Sequence, residues 1–157
     1  MSSNHLKGIL VSLLTVLLAG FVTATSAAGL GMSQEVDDIT VHLGVMPTDR
    51  LAAHPELLPK GHPAPPSGKD MYHLLFAVFN NVTGVRITDA KIEATVIPLG
   101  LAGRTKSMMP GAPAGMVTYC NYFQLTSGDS YVVKVEIRLK GKQVARMGKF
   151  KLQRFSN

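Results

Sequence analysis

A chain of 157 residues with 16 Lys+Arg against 10 Asp+Glu, for a net charge of +6, has the length to bury one real core. Its single cysteine excludes an internal disulfide and leaves a buried thiol, an intermolecular partner or a soft metal ligand. It holds no Gly-x-Ser-x-Gly elbow, no His-Glu-x-x-His and no glycine-rich phosphate loop. The carboxylates are scattered, and nothing orients a histidine on Cys120, so a non-catalytic protein is expected.

Lys7 opens the chain's first feature, an apolar run from Gly8 to Val22 followed by small residues up to Gly29. The run is shorter than the roughly 20 residues a membrane span needs, and the small residues suit a signal peptidase. Residues 1–28 are therefore expected to be a cleaved signal peptide. Residues 29–157 are expected to be a β-sandwich domain in the periplasm or secreted, with no stable membrane insertion after cleavage.

Glu35 to Met46 alternates apolar and polar residues, the mark of a half-buried strand, with one slip near Asp37. Pro47 to Lys69 reads as a loop with six prolines, allowing at most one helical turn between Leu51 and Leu58. Asp70 to Phe79 is apolar on both sides and reads as a central strand, closed by the turn Asn80–Gly84. Val85–Ile87 and Lys91–Pro98 are further predicted strands, and Leu99 to Gly115 a second long loop.

Met116–Leu125, Ser130–Leu139 and Gln143–Leu152 complete the predicted strands, the last two joined at Lys140-Gly141-Lys142. About seven short strands without an amphipathic helix predict an all-β, immunoglobulin-like antiparallel sandwich, with a small Greek-key barrel as the alternative.

Without Met1 and His5 the exported part keeps seven methionines, four histidines and Cys120. Thioether, imidazole and thiolate together prefer copper, Cu(I) above all, to hard cations. Met71 and His73 leave one face of a strand, as do His42 and Met46. Met108, Met109 and Met116 lie in or beside the second loop, and Cys120 shares the face of Met116. Each has a plainer reading. Methionine fills core gaps, as is expected of Met147, and Cys120 suits a small buried hydrophobe. His73 suits a core histidine, and His54 and His62 suit exposed loop residues.

The segments Asp70-Met71-Tyr72-His73-Leu74, Met108-Met109-Pro110 and Gly115 to Phe123 resemble periplasmic metal-handling sandwiches, the YtkA-like domains and the copper-binding accessory proteins of iron uptake. That resemblance implies an immunoglobulin-like sandwich whose strand His-Leu, Met-Pro loop and following element converge on copper. Thr118 stands where the family's second histidine is expected and Cys120 where its glycine is.

The leading expectation is an exported protein that stores or passes on a copper ion. Its ligands would be His73 and Met71, with Met108, Met109 or Met116 from a covering second loop and His62 as a mobile fourth. The alternative is a metal-free envelope accessory module that meets a protein partner, such as a transporter or oxidase, through its basic C-terminal hairpin. Lys134, Arg138, Lys140, Lys142, Arg146, Lys149, Lys151 and Arg154 supply that charge. They also suit a solvated face that resists edge-to-edge pairing, or an anionic membrane surface; export argues against nucleic acid. A carrier of a small apolar ligand, with its pocket under the second loop, is the third reading.

Overall fold

The computed structural model describes residues 32–58, 62–112 and 115–152. The expected signal peptide lies outside them. Eight antiparallel strands, one more than expected, form an immunoglobulin-like sandwich in the order β1-β2-β3-β6-β5-β4-β7-β8. They are β1 (Ser33–Val36), β2 (Ile39–Pro47), β3 (Met71–Asn80), β4 (Lys91–Pro98), β5 (Arg104–Gly111), β6 (Thr118–Gln124), β7 (Tyr131–Arg138) and β8 (Arg146–Leu152). Among the described residues the named helices are α1 (Thr48–Ala53) and a 3₁₀ turn at Pro55–Leu57.

Alternation decides which side chains enter the core. From β3, Tyr72, Leu74, Phe76 and Val78 point inward, and from β7, Val133, Val135 and Ile137 do so. Phe76 and Phe150, both fully buried, meet with ring centroids 6.1 Å apart. Burying a side chain of this size stabilises by about 1.5–3 kcal/mol. The slip at Asp37 is a tight turn: Val36 pairs with Ile39, and Asp37 takes φ 52°.

Three expectations change. Leu99–Gly115 is not one long loop, because β5 runs through it; Arg104 to Met108 pair with β4, and Met109 to Gly111 pair with β6. One strand thus passes from one layer to the other. Val85–Ile87 forms only a single bridge, Phe79 to Arg86. Met147, expected as core filler, is 56 % exposed because it occupies an outward position of β8.

Side chains tie β8 to β1 and to the turn that follows β1. The Lys149 amide donates to Gln34 Oε1 at 2.6 Å, and Arg146 grips Asp38 through Nε–Oδ1 at 2.5 Å and Nη2–Oδ2 at 3.0 Å.

Candidate metal centre

Because Tyr72 and Leu74 enter the core, His73 and Leu75 emerge on the opposite face of the sheet. On β6, Tyr119 and Phe123 point inward, so Cys120 and Tyr122 emerge on that same outer face. Register fixes their rows. Met46, His73 and Tyr122 lie side by side across β2, β3 and β6. Gly44, Leu75, Cys120 and Met109 form the next row across β2, β3, β6 and β5. His73 and Cys120 are therefore diagonal neighbours, a spacing that long side chains bridge.

Leu75 lies flat over β2 because Gly44 has no side chain; a Cβ there would stand 2.5 Å from Leu75 Cδ1.

The proline-rich segment covers this face. Pro63, Pro65 and Pro66 hold the backbone extended, which fixes where His62 can reach. Tyr122 Oη donates to the Pro63 carbonyl at 3.0 Å and lies 3.3 Å from His62 Nδ1. The His62 and His73 rings meet edge to face, centroids 5.3 Å apart, and His73 packs against Tyr122 at 5.1 Å with the rings tilted by 37°.

His62, His73 and Cys120 each offer one donor atom, and these lie within 4.8 Å of one another. His62 Nδ1 donates to the Pro63 carbonyl at 3.0 Å, which leaves Nε2 as the lone-pair nitrogen. A backbone carbonyl on the far nitrogen is the usual partner of a metal-binding imidazole. Nε2 of His62 and Nε2 of His73 are both buried without a hydrogen-bond partner. Each such atom costs about 1–3 kcal/mol, a cost that a cation bound there removes. The Cys120 thiol donates only weakly, to the Met109 carbonyl at 3.7 Å.

The donor set fits a soft or borderline cation. Metal–nitrogen and metal–sulfur bonds of about 2.0–2.3 Å set donors roughly 3.5 Å apart, so the three close by about 1 Å on binding. Burial, with His62 alongside, lowers His73 to about 4, keeping its ring neutral and its lone pair free at neutral pH. Burial pushes the thiol up to about 11, so a metal must displace its proton.

Of the residues singled out in the sequence, His62 and His73 meet in this cluster, and Met109 occupies the register position beside Cys120. Met108 is placed elsewhere, in the hydrophobic core on the other side of the sheet. Met71 shares the outward side of β3 but lies opposite Gln124 at the strand's end, lining a cavity with Val96, Phe123 and Tyr131. Met116 is 55 % exposed ahead of β6. The segment covering the face is the first loop, not the second.

His42 is exposed against Phe79, and His54 contacts Glu56 at the surface. Cys120, weighed in the sequence as a small buried hydrophobe, is the donor that residue pattern alone does not single out. Its alternation with Tyr119 was the available signal.

No family model matches the chain, and no curated protein sequence resembles it significantly. Solved structures share its fold. A DUF4426 family protein from Pseudomonas aeruginosa PAO1 superposes with a TM-score of 0.57 at 15 % identity, covering 80 % of this chain and 97 % of the other. A copper-bound variant of FetP from uropathogenic Escherichia coli strain F11 gives 0.56 at 11 % identity, over 80 % and 95 %. FetP as isolated after expression in the periplasm gives 0.58 at 10 %, over 81 % and 96 %.

Proposed function

We propose that this is a non-catalytic periplasmic or secreted protein that binds a soft metal ion, copper, to store it or hand it on. The supporting observation is the meeting of His62, His73 and Cys120, from three separate parts of the chain, with both Nε2 atoms buried and unpartnered. Imidazole and thiolate are copper donors, and holding an ion needs no acid–base pair. A variant of FetP, of the same fold, is copper-bound in its solved structure. Among the described residues no helix is long and apolar enough to cross a membrane.

The test is a Cu(I) titration against a competing chelator. His73→Ala and His62→Ala should each weaken binding at least tenfold. Equal affinity in wild type and His73→Ala would refute the assignment.

A specific observation favours a protein partner as well. On the outer face of the other layer, Lys134 stands directly opposite Lys149, with Lys151 next along β8. Like charges opposed across a ladder destabilise a sheet, and an acidic partner turns that cost into attraction. The basic β7–β8 hairpin is thus the surface we assign to an envelope transporter or oxidase. Binding to an acidic partner should weaken steeply with salt and be lost in Lys134→Glu/Lys149→Glu. Unchanged binding by that variant would exclude this surface.

A further inference from the structure

Thiolate, thioether and imidazole all hold Cu(I), so the donor types alone are compatible with storage; His₂Cys with a remote methionine is, more narrowly, the ligand set of copper centres that exchange single electrons. The structure places a methionine suitably. Met109 is the cross-strand neighbour of Cys120, on the same face, and its carbonyl accepts the weak Cys120 thiol hydrogen bond at 3.7 Å. The histidine rings are held by packing: His73 between Tyr122 and His62, and His62 by the Pro63 carbonyl. Ligands fixed in this way move little when the ion's charge changes.

We propose that the cluster is a thiolate–copper centre in which His62, His73 and the Cys120 thiolate are the strong ligands and Met109 is a weak fourth. The centre holds copper in both oxidation states. This rests on the metal-binding reading above and goes beyond it by assigning the ligand that gives the ion its redox character. On loading, the Cys120 S–H bond breaks, its proton goes to solvent, and sulfur binds the metal. Bound Cu(I) then loses one electron to a one-electron acceptor and becomes Cu(II), while all four ligands are kept. No bond to carbon or oxygen changes.

The experiment loads the whole protein with Cu(I) anaerobically, removes unbound metal, and adds one equivalent of hexacyanoferrate(III) as acceptor. Copper content, visible absorption and electron paramagnetic resonance are then read. The expected result is retained copper with an intense thiolate-to-Cu(II) charge-transfer band. That band disappears in Cys120→Ser and shifts, without loss, in Met109→Leu. X-ray absorption of the wild-type Cu(I) form, which does not depend on any variant folding, should show one short copper–sulfur bond of about 2.2–2.3 Å.

Bound copper with no such band and no short sulfur bond would overturn the thiolate centre and leave the metal-binding function standing. Oxidation to a Cys120-linked dimer would overturn it too. Failure to retain any copper would overturn both, and an unshifted band in Met109→Leu would remove Met109 from the centre.

Discussion

Replacing His73 with leucine should stabilise the metal-free protein while abolishing its metal binding. The ring is 3 % exposed and its Nε2 has no partner, so removing it relieves about 1–3 kcal/mol of unsatisfied burial. Loss of its contacts with Tyr122 and His62 returns roughly 0.5–1.5 kcal/mol. A gain of about 0.5–1.5 kcal/mol should remain at pH 7.5.

The gain should widen in acid. His73 is lowered to about 4 in the folded chain against 6.5 when free. As pH falls, the unfolded chain takes up the proton first, so wild type loses stability between pH 6.5 and 4. At pH 4.5 the loss reaches roughly 2.5 kcal/mol, and the leucine variant is spared it. Urea unfolding of both proteins in chelator, at pH 7.5 and 4.5, measures this difference. Cu(I) at about a thousand times its dissociation constant should then reverse the order at pH 7.5, by adding about 4 kcal/mol to wild type alone. A metal-free variant less stable than wild type, or a gap independent of pH, would refute the account of His73 as an unsatisfied donor.

Three further outcomes follow from the same geometry. With the Cys120 thiol near 11, copper binding must release its proton, so affinity should rise about tenfold per pH unit from 6 to 8 in wild type and stay flat in Cys120→Ser. Tyr122→Phe loses the hydroxyl that anchors the Pro63 carbonyl beside His62; chelator competition should show roughly 10–100-fold weaker copper binding with an unchanged circular dichroism spectrum. Arg146→Ala removes a two-pronged contact with Asp38 and should lower the urea midpoint slightly, by an amount that shrinks in high salt, without altering copper affinity.

The fold was legible wherever one face of a strand is wet. Ser130 to Leu139 alternates without error because sheet geometry sends Val133, Val135 and Ile137 in and Lys134 out. β5 was illegible for a matching reason: of its eight residues only Met108 is buried, and Pro110 and Gly111 lie at its end. A strand passing between layers has no constant inward side to leave a pattern. The site was half legible. Residue type picked out His73, and spacing put Met71 on its face, but the partners of His73 depend on pairings between segments some fifty residues apart. No local rule states that Cys120 lands diagonally across from it, or that the proline segment folds back over β3. Core membership likewise sends Met108 inward and leaves its neighbour Met109 on the ligand side, a distinction invisible in the pair Met108-Met109.

The seam between β1 and β8 has its own consequence. Its members are the first and last strands of the sandwich, tied by Gln34 to Lys149 and by Asp38 to Arg146. The ring of strands can therefore be fastened only after the final hairpin has arrived. A chain without β8 would leave the β7 edge bare and Gln34 unmatched, so the seam holds only once the last strand is in place.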